Sequence, residues 1–350
     1  EDELVQKTGN MPRLFRGRGP HRELVQQALK AREFFHRDTQ YVIQNGKVVI
    51  VDEFTGRLMP QRTWSAGLHQ IIEAKEDITI TAPSETLARL SFQRFFRFFY
   101  RLAGMTGTAR EAAGELWHIY GLPVVTIPPN RPCQRKIYPR RIFSEQESKW
   151  QAIVDEVAER HGQGQPVLVG TRSVKASEDL AARLAKLGLS FRVLNAVRHR
   201  EEARTISHAG EGSSITVATN MAGRGVDIRL GDGVTRLGGL HVIATECHES
   251  GRIDRQLFGR CARQGDPGSA RSFVSMEDEL ICRYVPSVVR NSFKKALRLP
   301  GPTSGWAAEQ VVRWAQSKAQ GRAFHQRRSV LRTDTWLDDS LSFAQGDVSS

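Results

Sequence analysis

The sequence predicts an α/β fold organised on a mostly parallel sheet. Between residues 144 and 276, short apolar runs at 165–171, 191–196, 215–219, 240–246 and 272–276 alternate with segments of helical period at 144–159, 173–187 and 201–209. Alternation of that kind implies right-handed crossovers and helices on both sheet faces. The run at 215–219 is apolar and β-branched, as a strand buried on both faces is. It ends in Asn220-Met221-Ala222-Gly223-Arg224-Gly225-Val226-Asp227. Open parallel sheets place their ligands at such a carboxyl end.

The chain has 350 residues, enough for two or three domains and a sizeable core. Hydrophobic content of 39% and charged content of 25% are those of an ordinary globular protein. A net charge of +13 favours acidic partners: nucleic acid, anionic lipid or nucleotide. The four cysteines, Cys133, Cys247, Cys261 and Cys282, show no C-x-x-C spacing, so no zinc site is indicated and a reduced, intracellular chain is expected. No apolar run approaches the ~20 residues of a membrane span. The first residue is Glu1 rather than Met, which leads to the expectation of a fragment.

Taken in order, residues 11–21 read as an Arg/Gly/Pro-rich loop, and Leu24, Ala28, Ala31 and Phe35 share one face of a helix over 23–35. Residues 41–51 read as a hairpin turning at Asn45-Gly46, a type I′ pair. Asp52-Glu53 resembles a Walker B acidic pair, but no phosphate-binding loop precedes it and no metal is assigned to it. A helix follows over 64–76, where His69 lacks a partner at ligand spacing and reads as structural. The stretch 90–102 interleaves Phe92, Phe95, Phe96, Phe98, Phe99 and Tyr100 with Arg94, Arg97 and Arg101. It suits either stacking on bases or a core stripe with snorkelling arginines, and the core reading is preferred. Residues 121–127 read as a strand and 128–132 as a linker.

Ser144 and Glu147 have the spacing of a capping box for the next helix, with Trp150, Ile153, Val154 and Val157 facing inward. Gly188 closes the helix over 173–187. From Arg283 to Arg332 there are eleven Lys/Arg against one acidic residue, Glu309. Ala308, Val311, Val312, Ala315 and Ala319 recur at helical spacing, so a long basic helix is expected, its charge turned to nucleic acid, anionic lipid or water. Residues 340–350 read as a frayed tail or a truncation point.

Two stretches carry the candidate chemistry. In the first, glycines such as Gly225 let backbone approach a bulky ligand, Arg224 supplies a fixed positive charge and Asp227 a carboxylate. In the second, Gln256, Arg260 and Arg263 fall at spacings of four and three, which places all three on one helix face where the arginines form a fork for phosphate oxygens. Alone, the first is a loop that happens to hold Gly, Arg and Asp, and the second a solvated basic face. Joined, GRGxD followed ~30 residues later by QxxGRxxRxGD resembles the fifth and sixth motifs of a RecA-like helicase or translocase motor.

The full motif set narrows that resemblance. It comprises VDEFTGRLM (51–59), GLHQ-IEAKE (67–76), LAGMTGTA (102–109), NRP (130–132), GQPVLVGT (164–171), VLNA (193–196), ATNMAGRGVDI (218–228) and GGLHVIATECHES-RID-QL (238–257). On these residues the chain resembles the SecA family, the ATP-driven motors of bacterial preprotein export, over residues 20–330. It departs from the family at Val226 (usually Thr), Phe258 (usually Arg), Cys261-Ala262 (usually Ser-Gly) and in a shorter loop between Ile228 and Gly238. These departures suit a divergent or accessory member.

The resemblance implies a domain map. Residues 1–87 are the C-terminal part of a preprotein cross-linking domain, 88–130 a C-terminal remnant of the first nucleotide-binding domain, 131–285 the second, RecA-like nucleotide-binding domain, and 286–350 the start of a helical scaffold. It implies ATP and Mg²⁺ as cofactors, with phosphates and metal held mainly by a first motor half that carries Walker A. Without that loop, this chain alone is expected to be inactive. Asp227, Gly225 and Arg224 contact the nucleotide, Arg260, Arg263 and Arg252 act in catalysis, and Glu115 with Arg252 forms an interdomain gate. The implied partners are an unfolded preprotein, the membrane protein-conducting channel, an anionic lipid surface and a second copy in a homodimer. The implied location is cytoplasmic, peripheral on the plasma membrane. The rival readings are a nucleic-acid helicase of the same superfamily and a non-catalytic remnant.

Overall fold

A computed structural model describes residues 18–37, 39–52, 58–82, 90–194, 206–219, 226–298 and 302–345. The chain divides into two compact units, 1–87 and 88–350.

In the first unit, helix α1 (Arg18–Phe34) is followed by strands β1 (Tyr41–Gln44), β2 (Lys47–Val51) and β3 (Leu58–Met59), then α2 (Leu68–Lys75). The β1–β2 pairing is antiparallel, and Asn45 and Gly46 both have positive φ (53° and 69°), as the type I′ reading requires. Ala31, Tyr41, Val48, Leu68 and Ile72 form its core. Lys75 Nζ donates to the carbonyls of Ala31 (3.2 Å) and Phe35 (2.6 Å), closing the end of α1 with a cation where the helix dipole is negative. The second helix begins at Leu68, not at Trp64, because Ala66 and Gly67 both have left-handed φ (56° and 74°) and break the helical path. His69 is buried with its Nε2 3.5 Å from Glu73, in keeping with a structural role.

The second unit contains α3 (Phe92–Arg97), α4 (Ala113–Tyr120), β4 (Gln134–Ile137), β5 (Arg141–Phe143), α5 (Gln146–Gly162), β6 (Val167–Thr171), α6 (Val174–Lys186), β7 (Arg192–Leu194), β8 (Ile215–Thr219), β9 (Leu240–Ala244), α7 (Gly251–Phe258), β10 (Pro267–Ser275), α8 (Glu279–Tyr284), α9 (Ser287–Leu297) and α10 (Pro302–Gln345). Seven strands make one parallel sheet in the order β4-β10-β9-β6-β8-β7, with β5 also paired to β10. Residue alternation sends Val167, Val169, Ile215, Val217 and Ile243 to a core under α5 and α6. Leu168, Ala218, Leu240, Val242 and Ala244 go to the other face, against Ile206, Ile228, Leu257 and Cys261. A third core joins Val274, Met276, Leu280 and Ile281 to Ala308, Val312, Ala315 and Ala319 of α10, all four of them 0–1% exposed. Small residues at intervals of four, three and four let this long helix lie close against its neighbours.

Several local expectations are corrected. The run at 121–127 forms no strand: Val125 and Ile127 stand 78% and 82% exposed, and extended chain becomes a strand only when a neighbour pairs with it. The aromatic stretch is not core, because no residue of α3 is buried and Phe92, Phe98 and Tyr100 are largely exposed. The capping box does not form either. Glu145 occupies the N-cap of α5, the Gln146 amide donates to Glu277 Oε2 (2.9 Å), and Glu147 is taken by the Arg183 guanidinium. Edge strands β4 and β5 had no sequence signal, and most of the helix read at 201–209 lies outside the described residues, with a turn of 3-10 helix at His208–Gly210.

The sheet also buries charge. Lys149 Nζ and Asp278 Oδ1 pair at 2.5 Å, each side chain 2% exposed, and burial raises the Asp278 carboxyl to about 6. On β9, His241 Nδ1 shares a hydrogen bond with Ser269 Oγ (2.7 Å), and its Nε2 lies 3.1 Å from Glu156, whose other oxygen accepts from Arg271 (2.6 Å). Burial holds His241 below its usual 6.5. Burial alone would push Glu156 up, but contacts with His241 and Arg271 outweigh it and hold it below its usual value.

A depressed histidine pKa means that the unfolded chain takes up the proton first. This part of the stability is present above pH 6.5 and lost as pH falls through that value. Asp278, raised from 3.8 to about 6, works in the opposite sense between those two values. The His241→Gln variant should therefore lose less stability than wild type between pH 7.5 and 5.5, when midpoints of denaturant unfolding are compared. Parallel pH profiles for the two proteins would refute this account.

Candidate functional site

All five residues of β8 are buried, and the strand sits between β6 and β7. Its carboxyl end leads through residues 220–225, which lie outside the described residues together with Arg224 and Gly225, to Val226 and Asp227. Arg263 meets this loop. Its Nη1 donates to Asp227 Oδ1 (2.8 Å) and to the Val226 carbonyl (3.2 Å), while its Nε donates to the Gly259 carbonyl (3.0 Å). One guanidinium thus ties the end of β8 to the turn after α7. The Asp227 side chain is 55% exposed and that of Arg263 34%. Such a half-exposed pair adds only about 0.2–1 kcal/mol to stability, so what it contributes is mainly position.

Gln256, Arg260 and Arg263 do not share a helix face. α7 stops at Phe258, Gly259 is its C-cap, and Ala262, Gln264 and Gly265 follow with φ of 53°, 55° and 85°. The helix has ended before Arg260, and left-handed Ala262 turns the chain between the two arginines, so Arg260 is buried (8% exposed) while Arg263 reaches the surface. The turn lies directly on β10: a Cβ added to Gly268 would stand 2.7 Å from the Ala262 nitrogen. Phe258, at a family arginine position, packs against the core under α7.

Gln256 points elsewhere, and its Nε2 donates to Thr108 Oγ1 (3.3 Å) in the 102–109 stretch. Thr106 Oγ1 in turn accepts from the Thr108 amide (3.3 Å). Arg255 pairs with Glu111. Arg252 is exposed on the first turn of α7 and does not meet Glu115 as expected. The Glu115 carboxylate is taken by Arg327 of α10, which donates from Nε to one oxygen and from Nη2 to the other (2.8 Å). A planar fork satisfies both oxygens together, so Glu115 has no need of Arg252.

A further group escaped the sequence reading. Asp254 Oδ1 accepts from the His248 amide (3.0 Å) and lies 2.6 Å from His248 Nδ1, and its Oδ2 accepts from Gln316 of α10 (2.7 Å). The only available signal was the position of His248 and Asp254 inside the HES-RID run.

Among the described residues, no three His, Cys, Asp or Glu side chains come together as a metal site. Of the residues read as a candidate site, Asp227 and Arg263 are the two brought into direct contact among the described residues. No helix among the described residues is long and apolar enough to cross a membrane.

A family model described as the SecA P-loop domain matches residues 132–235 and 231–299, and one described as the SecA preprotein cross-linking domain matches residues 5–73. The chain is 48% identical over 344 residues to protein translocase subunit SecA 2 of Chlorobium chlorochromatii, covering 97% of this chain and 52% of that protein. It is 49% identical over 315 residues to protein translocase subunit SecA of Desulfovibrio desulfuricans, covering 90% of this chain and 37% of that protein. The chain thus spans about half the length, or less, of these curated relatives.

Proposed function

Since this chain belongs to the SecA family, we propose that it supplies the second nucleotide-binding domain, the preprotein cross-linking region and the first part of the helical scaffold of an ATP-driven protein-export motor. The observation that carries this reading is the Arg263–Asp227 pair at the end of β8, within the stretch that matches the family's P-loop domain. The reaction is phosphoryl transfer to water, which depends on positioning and electrostatics more than on covalent chemistry by the protein. Asp227, with Gly225 and Arg224, contacts the nucleotide, and Arg263 leaves Asp227 to meet charge building on the γ-phosphate. Arg260, buried beside it, and Arg252, on the exposed first turn of α7, take supporting places in the same cleft. Mg²⁺ and the remaining phosphate contacts belong to a P-loop half, since no run of these 350 residues reads G-x-x-x-x-G-K-[ST].

Opening and closing of the cleft then moves an unfolded preprotein. The motor works from the cytoplasmic face of the plasma membrane, at the protein-conducting channel and the anionic lipid around it, as a monomer or homodimer. Of the rival readings, the nucleic-acid translocase draws on the net charge of +13 and leaves the match to a preprotein cross-linking domain unused.

In the intact motor, Arg263→Ala should leave the ATP dissociation constant within a few-fold and cut kcat by roughly 10², about 2.7 kcal/mol of transition-state stabilisation. Lys at this position should rescue poorly, because a point charge lacks the planar fork. Turnover like that of wild type in Arg263→Ala would move the non-catalytic reading ahead. The 1–350 chain alone should not hydrolyse ATP, and turnover sensitive to Asp227→Asn would contradict the division of labour.

The Glu115–Arg327 pair acts as the gate in place of Glu115–Arg252. It links the 88–130 segment to the scaffold helix, so its loss should free the cleft. Arg327→Ala is expected to raise basal ATP turnover several-fold in the absence of preprotein. Unchanged basal turnover and unchanged nucleotide release would remove the gate.

A further inference from the structure

Helix α10 reaches the α7 region with the polar side chain of Gln316. Gln316 Nε2 donates to the His248 carbonyl (2.9 Å) and to Asp254 Oδ2 (2.7 Å). Asp254 Oδ1 is already occupied by the His248 amide and ring, so the Gln316 amide completes the carboxylate's hydrogen bonding. Asp254 and His248 are 7% and 8% exposed, and a buried carboxylate oxygen that loses its donor is costly. Beside this bond, Cys247, next to His248, is buried in the same apolar cluster as Ala308, Val312, Ala315 and Ala319 of α10. A cavity of about 600 Å³, lined among others by Glu115, Gly251, Gln320, Gly321 and Phe324, opens beside Gln316. Gly251 contributes no side chain, and even an added Cβ would only reach ordinary contact with Gln316 Oε1, at 3.7 Å.

The position of this bond matters because of what α7 carries. The first turn of α7 holds Asp254, its last turn holds Gln256 against Thr108, and the turn beyond it delivers Arg263 to Asp227. On α10, Gln316 lies eleven residues before Arg327, or roughly 16 Å along the helix. One rigid element therefore bonds both to Glu115 and to the base of the helix that leads to the candidate arginine.

We propose that Gln316 is a positioning residue: a latch by which the scaffold helix holds the His248 loop and the first turn of α7, and through them sets Arg263. The proposal deepens the motor reading and rests on it for its kinetic consequence. The latch itself is read without nucleotide.

Two variants test it. Gln316→Glu keeps the shape and removes both N–H donors, and Gln316→Met removes them without adding charge. Amide exchange at His248 and across α7 should accelerate more than tenfold in both, with β6 and β8 unchanged. In the intact motor, kcat should fall about tenfold with KM for ATP within about threefold. Gln316→Lys, which keeps donors, should retain more activity than Gln316→Met. Unaltered α7 exchange in both donor-free variants overturns the latch. Acceleration spread equally over β6 and β8 overturns it too, since that means general destabilisation. A loosened α7 with unchanged kcat overturns the link to Arg263. An intact wild-type motor without ATP turnover sinks the motor reading, and the exchange result then decides the latch alone.

Discussion

A parallel sheet buried on both faces has no lateral surface on which to do chemistry. In this chain β6, β8 and β9 are buried at every residue, so reactive groups are confined to strand ends and the loops that leave them. That constraint explains why Asp227 and Arg263, distant in sequence, meet in the segments that follow β8 and α7 rather than on a strand. Packing against the sheet also buries charge, and each buried charge has a partner, Lys149 with Asp278 and Glu156 with Arg271: unpaired they would be far too costly to keep.

Ionic contacts fall into two classes by exposure. The buried pairs tie α5 to its neighbours, Lys149 to Asp278 in the turn after β10 and Glu156 to Arg271 on β10. Arg263–Asp227 and Arg327–Glu115 are partly exposed and join separate segments at the surface, the first within the sheet domain and the second between α10 and α4. Weak, solvent-accessible pairs exchange partners at small free-energy cost. Asp254 stands between the classes, buried yet bonded to a side chain from another element.

The 44-residue helix α10 couples these features. Its small buried residues anchor it under β10 and α8, while its polar face presents Gln316 and then Arg327.

Local pattern and motif were enough to read the strands β6, β8 and β9, the helices α5 and α6, the Asn45-Gly46 turn and the family. Each rests on side-chain period, turn chemistry or residue spacing, which are properties of neighbours in sequence. The edge strands β4 and β5 were missed and residues 121–127 were read as a strand, because strand formation depends on a partner that local pattern does not reveal. The aromatic stretch at α3 was taken for core, because composition cannot say whether anything lies against it. At the site, Asp227 and Arg263 were legible as a motif, but their contact was not. The helix ends at Phe258 and left-handed Ala262 turns the chain between Arg260 and Arg263, which sends one inward and the other outward where an unbroken helix would keep them on one face. The partner of Glu115 was decided only by tertiary structure: Arg252 is nearer in sequence, but α10 packs beside α4 and brings a guanidinium able to bind both oxygens.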